Sequence, residues 1–396
     1  MRIAWSLGPL PRAGPVCVSE CRVAIVADDL TGALDAAAPF AQRGATTRVV
    51  VALERLEALL DAWRGALPEV IAVTTESRHL TASTAAERVV RATQILARLA
   101  PAVWFKKIDS TLRGQVVAES LAMRQACARR LLLAPAVPSQ GRTTCDAHII
   151  VNGRLLETTD FARDARSRPP SGGLDALFSA AGLPLTRHAP GQILPAADSV
   201  ADAKTDADLD ALAGGIIDGQ DAWLAVGAAG LSRALAHVMF GETESRPVYA
   251  RFTGLWLAVG SRSERAAQQV ATLRRVAPEL PVVIGAGDVP VEAPFLLLLC
   301  NTDETPREAD EVAAMLAEAL TKGMATATQR LYLMTGGDCA SALMKALGAS
   351  YVDVAGEWEP GVVLGYPQGN REWPLLTKAG GFGDESLLVR LLQHLA

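Results

Sequence analysis

Short β-rich runs alternating with helix-spaced runs, repeated from Arg22 to the end of the chain, narrow the possible folds most. Two strands separated by a helix lie parallel, because only a crossover connection returns the chain to the same edge. Helices on both faces then bury the sheet, giving a three-layer α/β architecture. The runs Arg22–Ala27, Thr46–Val51, Val70–Thr74, Pro101–Lys106, Arg130–Ala134, Ser199–Asp202 and Asp221–Val226 read as strands of a first unit. Leu255–Val259, Pro281–Ile284, Pro294–Leu299, Arg330–Met334 and Pro374–Thr377 read as strands of a second. A chain of 396 residues exceeds one ordinary core. The expected organisation is two three-layer α/β domains with mostly parallel sheets. Residues 1–21 form a disordered lead or extended start, 22–240 and 254–396 the domains, and the polar stretch 241–253 a linker.

Composition removes several classes. A net charge of -5, without a Lys/Arg block or an aromatic-interleaved basic stripe, argues against a nucleic-acid surface. The six cysteines show neither disulfide nor zinc spacing, which fits a reducing compartment. Pro9, Pro11 and Pro15 interrupt any signal-peptide core, and no apolar run approaches the roughly 20 residues that span a bilayer. A cytoplasmic protein with no membrane partner is expected, and a homodimer is compatible with all of this.

The chemistry gathers where strands hand over to helices, the position of ligand crevices in open α/β sheets. The first strand ends in Asp28-Asp29-Leu30-Thr31-Gly32 and the third in Thr75-Glu76-Ser77-Arg78. The fourth ends in Lys106-Lys107-Ile108-Asp109-Ser110-Thr111-Leu112-Arg113-Gly114, followed by a helix expected over 114–128. Ser110 or Thr111 would cap that helix. Alternation sends Lys106 and Lys107 to opposite faces, so one of the two serves the crevice. Arg113 offers a planar fork for carboxylate or phosphate. Asp28 and Asp29 either cap a helix or place one acid against a ligand hydroxyl, a metal or a moving proton. In the second unit Gly260-Ser261, Gly336-Gly337-Asp338 and Lys378 to Gly383 are glycine-bearing strand exits, suited to phosphate or nucleotide. Lys378 adds a mobile positive charge there.

The standard nucleotide signatures are absent. The dipeptide Gly-Lys of a Walker A run does not occur, and Gly285-Ala286-Gly287 lacks the third glycine of the dinucleotide fingerprint. Five dispersed histidines make neither a metal site nor a triad. Yet Ala27 to Gly32, Lys106 to Gly114, Ala134-Pro135-Ala136 with Gly141-Arg142-Thr143-Thr144, Gly336-Gly337-Asp338 and Lys378 to Gly383, in this order, resemble the four-carbon acid sugar kinases. The resemblance covers about Val23 to the C-terminus.

It implies a substrate domain, a nucleotide domain and a cleft between them. It implies ATP-dependent phosphorylation of the terminal hydroxyl of a sugar acid such as 3-oxo-tetronate, D-threonate or D-erythronate. By position, the substrate side would be Asp28, Asp29, Ser77, Arg78, Lys107, Asp109, Ser110 and Arg113. The nucleotide side would be Ser261, Gly336, Gly337, Asp338, Cys339, Gly380 and Gly381, with a threonine usual where Cys339 stands. Asp28 or Asp29 would accept the hydroxyl proton, Arg78 and Arg113 would bind the carboxylate, and Lys107 the carboxylate or the γ-phosphate. Mg2+ is expected on the ATP phosphates, with Asp338 one candidate ligand. The competing class is a non-catalytic, nucleotide-regulated sugar-acid sensor on the same scaffold.

Overall fold

The computed structural model describes residues 20–163, 169–242, 252–285, 289–299, 307–326 and 329–395. Nearly all of the expected lead, most of the expected linker and part of the Gly285-Ala286-Gly287 turn lie outside the described residues.

The first half contains β1 (Val23–Ala27), α1 (Leu30–Ala41), β2 (Thr47–Val50), α2 (Leu56–Ala62), β3 (Val70–Thr74) and α3 (Ala82–Ala97). It continues with β4 (Val103–Lys107), α4 (Val116–Cys127), β5 (Arg130–Ala134), β6 (Arg142–Cys145), β7 (His148–Val151) and β8 (Arg154–Leu155). It closes with α5 (Leu174–Ala180), β9 (Thr186–His188), β10 (Ser199–Ala201), α6 (Asp206–Asp218), β11 (Trp223–Gly227) and α7 (Ala229–Phe240). The second half runs β12 (Gly254–Val259), α8 (Glu264–Val276), β13 (Val282–Ile284), β14 (Phe295–Leu299), α9 (Ala309–Met324) and β15 (Arg330–Thr335). Then come α10 (Gly337–Ala346), β16 (Tyr351–Glu359), β17 (Val362–Pro367), β18 (Leu375–Lys378) and α11 (Leu387–Leu395).

Strands covered on both faces are apolar throughout rather than alternating, and β1 and β3 are buried at every position. Helices carry one apolar stripe: α3 buries Ala85, Val89, Ala92 and Leu96, and the Thr81 hydroxyl caps its start. Register aligns the strand ends. Ala27 pairs with Thr74 and with Lys107, so the turns after β1, β3 and β4 emerge side by side. In the second half Thr335 pairs with Val259 and Lys378, which aligns the turns after β12, β15 and β18.

The two parallel sets are not separate sheets. Among the described residues fifteen strands form one sheet, in the order β13-β14-β12-β15-β18-β17-β16-β2-β3-β1-β4-β11-β5-β10-β9. The hairpin β16–β17 is the join, antiparallel to β2 on one side and to β18 on the other. Counting the reversals, β15 runs opposite to β1, so in a flat sheet their loaded ends would open on opposite edges. Twist removes the conflict. Six strand-to-strand steps separate β1 from β15; at roughly 20–25° each they accumulate about 120–150° and swing the two edges towards each other. Register shifts at Val354/Gly356 and Glu357/Glu359 add local twist where it is needed. One apolar core spans the join, with Leu30, Leu34 and Phe40 of α1 in the same cluster as Leu343 and Met344 of α10, Val352, Val363 and Leu375.

Candidate active site

Asp29 opens α1: its Oδ1 accepts the Gly32 amide at 2.8 Å and its Oδ2 the Thr31 hydroxyl at 2.8 Å. Arg78, in the turn after the neighbouring strand β3, reaches across. Its Nε and Nη2 donate to the two oxygens of Asp28 at 2.7 and 2.9 Å, and its Nη1 donates to Asp29 Oδ2 at 2.7 Å. Burial pushes the Asp28 carboxyl up, but the Arg78 fork outweighs it and holds it below the ordinary value. Arg78 thus bonds both aspartates and also lines the cleft.

After β4 the two lysines part as alternation requires. Lys106, fully buried, pairs with Glu119 at 2.7 Å, and Glu119 also accepts the Ser77 hydroxyl at 2.6 Å. Ser77 thus faces the α4 layer and is sealed from solvent. Lys107 lies on the α1 side, donating to the Ile108 carbonyl at 3.0 Å with Asp35 4.0 Å away. The expected cap is corrected: α4 starts at Val116 after Gln115, which makes no side-chain cap bond. Asp109 closes the turn instead, accepting the Thr111 amide (3.0 Å), the Thr111 hydroxyl and the Arg113 fork (3.1 and 2.8 Å). Burial raises the Asp109 carboxyl, and Arg113 brings it well below the ordinary range.

In the second half, the turn before α8 and the starts of α9 and α10 line one side of the same cleft. Ser263 caps α8 through the Ala266 amide at 3.2 Å, and Ser261 precedes it. Gly336, at φ 98°, turns the chain so that Gly337 begins α10. Gly380 packs on Ser261 so closely that a Cβ there would overlap the Ser261 hydroxyl. The starts of α9 and α10 and the turn before α8, with bare backbone between them, make a cradle suited to an anion. Lys378 is not the mobile charge expected. It is 1% exposed and donates to the carbonyls of Ala379, Gly380 and Phe382 at 3.2–3.3 Å, holding the loop in shape. Burial, helped by Arg265, brings its ammonium down to about 8. The thiol of Cys339 lies against Gly260, under the cradle.

One cleft of about 310 Å³ joins the halves. Asp28, Asp29, Arg78 and Arg113 line it from one side, and Ser261, Gly336, Gly337, Asp338, Cys339 and Gly380 from the other. Ser77, Lys107, Asp109, Ser110, Lys378 and Gly381 are not part of its wall. Thr31, Glu76, His79, Arg262 and Ala309 are, and sequence reasoning did not place them there. For Glu76 a signal existed, since it is an acid in a strand-end turn; its φ of 46° aims it across the cleft, where it accepts the Ser341 hydroxyl at 3.1 Å. Near the middle, a Cβ on Gly337 would stand 3.1 Å from Asp29 Oδ2. Among the described residues no three His, Cys, Asp or Glu side chains form a metal cluster. No helix there is long and apolar enough to cross a membrane.

An anion-suited cradle facing an acid–guanidinium cluster over one gap is an arrangement that suits group transfer between two small substrates. Comparison with known proteins specifies it further. Residues 23–183 match the family described as Sugar-binding N-terminal domain, and residues 262–388 the Nucleotide-binding C-terminal domain. The chain is 34% identical to a D-threonate kinase of Bordetella bronchiseptica, over 94% of this chain and 96% of that one. It is 33% identical to a D-threonate kinase of Cupriavidus necator, over 92% and 95%. A solved Bordetella bronchiseptica structure, described as a domain of unknown function with bound citrate and as a domain-swapped dimer, aligns with TM-score 0.50 at 29% identity, over 95% and 98%. The chain belongs to the four-carbon acid sugar kinase family. It is a phosphotransferase acting on a four-carbon acid sugar.

Proposed function

We propose that the chain phosphorylates the terminal (4-) hydroxyl of D-threonate with ATP and Mg2+. The observation that carries this reading is the approach of Asp29 to Gly337, an acid of the sugar half against the first turn of a phosphate-type helix. The substrate is supported by the two relatives at 34% and 33% identity, both named for D-threonate. In this reading residues 22–240 hold the sugar acid and 254–396 the nucleotide, with 241–253 connecting them.

Asp29 orients the attacking hydroxyl and takes its proton. Asp28 fixes Arg78, and the Arg78 hydrogen bond holds Asp29 in position. The backbone of Gly336, Gly337 and Gly380, with Ser261, binds the phosphates, where Cβ atoms would intrude. Lys378 shapes that cradle from behind, and Gly381 completes its loop. Mg2+ would be held mainly by phosphate oxygens, with Asp338 one candidate ligand on the chain, and would supply charge neutralisation. The enzyme works in the cytoplasm as a homodimer, an assembly supported by the dimeric Bordetella structure.

ADP release measured with D-threonate, D-erythronate and their 3-oxo forms tests the reading. The expected result is highest kcat/KM for D-threonate, with a product phosphorylated at O4 by phosphorus NMR. Release of ADP with none of the four would refute it.

A further inference from the structure

The turn after β3 is fastened to the sugar half on both sides of Glu76. Before it, the Thr75 hydroxyl donates to the Ala27 carbonyl at 2.9 Å. After it, the Ser77 amide donates to the Asp28 carbonyl at 2.9 Å and the Ser77 hydroxyl to Glu119 at 2.6 Å. Arg78 then makes its three bonds to Asp28 and Asp29. The turn is a rigid platform, and Asp29 is one of the groups it holds.

Glu76 points the other way. Its φ of 46° is a left-handed conformation that a residue with a long side chain adopts only when its surroundings impose it. One carboxylate oxygen accepts the Thr74 hydroxyl at 2.7 Å, which fixes the side chain; the other accepts the Ser341 hydroxyl at 3.1 Å. Ser341 belongs to α10, one turn beyond Gly337. Two other side-chain bonds between the halves, Arg48 to Asp353 at 2.8 Å and Arg233 to Glu357 at 3.1 Å, end on β16 at the join. The bond from Ser341 instead crosses at the cleft, which Glu76 lines. A single turn thus bonds the acid at the centre of the cleft through Arg78 and, through Glu76, the helix whose first residue faces that acid.

We infer that Glu76 is a positioning residue for phosphoryl transfer. Through Ser341 it sets the separation of α10 from Asp29, and with it the distance between the transferring phosphoryl group and the hydroxyl that attacks it. The inference rests on the kinase reading above. Reacting atoms must stand about 3–3.5 Å apart, and a shift of about 1 Å can cost on the order of 10² in rate. Loss of the clasp therefore falls on turnover, while each half keeps its own substrate.

The test is steady-state kinetics of Glu76→Asn, Glu76→Gln, Ser341→Ala and the Glu76→Asn/Ser341→Ala double variant beside the wild type, with D-threonate and ATP varied separately. Asparagine tolerates the left-handed backbone but is too short to reach Ser341. Glutamine keeps the reach: its carbonyl can accept from Ser341 and its amide can donate to Thr74. Glu76→Asn and Ser341→Ala lower kcat about tenfold or more, with both KM values within about threefold. The double variant is no slower than Glu76→Asn, because both changes break one contact. Glu76→Gln stays within about threefold of the wild type. Unchanged kcat in Glu76→Asn or Ser341→Ala, losses that multiply in the double variant, or a Gln variant as slow as the Asn variant overturns the assignment and leaves the kinase reading standing. A wild type that phosphorylates no tetronate overturns both.

Discussion

Arg78→Met tests the electrostatic centre of the site most directly. The arginine side chain is 14% exposed and the two acids it binds 4% and 15%, so solvent screens little of the interaction. Its three bonds of 2.7–2.9 Å share one guanidinium and are not additive. Removing one partner of such a buried cluster leaves carboxylates uncompensated, at a cost of about 3–5 kcal/mol. We expect about 4 kcal/mol at pH 7.5, read from urea unfolding. The sign with pH is fixed. In the wild type the Asp28 carboxyl is held below its ordinary value, so its contribution is present above that value and fades as pH falls through the lowered one. In Arg78→Met only Lys106 and Lys107 still oppose burial, so the same carboxyl moves up, and lowering the pH protonates it and relieves the cost. The gap between the two proteins therefore narrows from pH 7.5 to pH 5. A loss below 1 kcal/mol, or a gap that does not change with pH, would show that Arg78 is not compensating buried charge.

Asp29→Asn lowers turnover by about 10²–10⁴ while Asp28→Asn loses less, because only Asp29 faces Gly337; equal turnover losses in ADP-release assays would refute that order. Gly380→Ala displaces Ser261 and raises KM for ATP about tenfold or more with little change for the acid, and titration of both substrates checks the split. Lys378, lowered from 10.5 to about 8, binds fewer protons folded than unfolded between those values, so its burial cost is full below pH 8 and relieved above it. Relative to Lys378→Met, the wild type gains stability from pH 8 to pH 10.5, and a flat difference across that window removes the explanation.

Most of what positions the site could be read from residue order. Strand runs such as Val23–Ala27 and Arg330–Thr335 are continuous and apolar, and their polar exits carried the chemistry that the cleft collects. What escaped reading has identifiable causes. Tyr351–Pro367 contains Gly356, Gly361 and Gly365, and its two register shifts break the alternation that marks a strand, so the joining hairpin carried no strand signal. Ser110 and Thr111 looked like caps because the competing acceptor, Asp109, binds the same turn's amides through a contact that spacing alone does not rank. Lys378 looked mobile because a strand-end lysine usually is; three carbonyls of its own loop hold it.

The hairpin that stitches the sheet together also limits how the enzyme can breathe. Backbone hydrogen bonds run unbroken from the sugar-binding strands to the nucleotide-binding strands, so the jaws cannot swing apart like independent plates. Widening must be taken up as torsion of residues 351–367, and the stiffness of that ribbon then governs how fast product leaves.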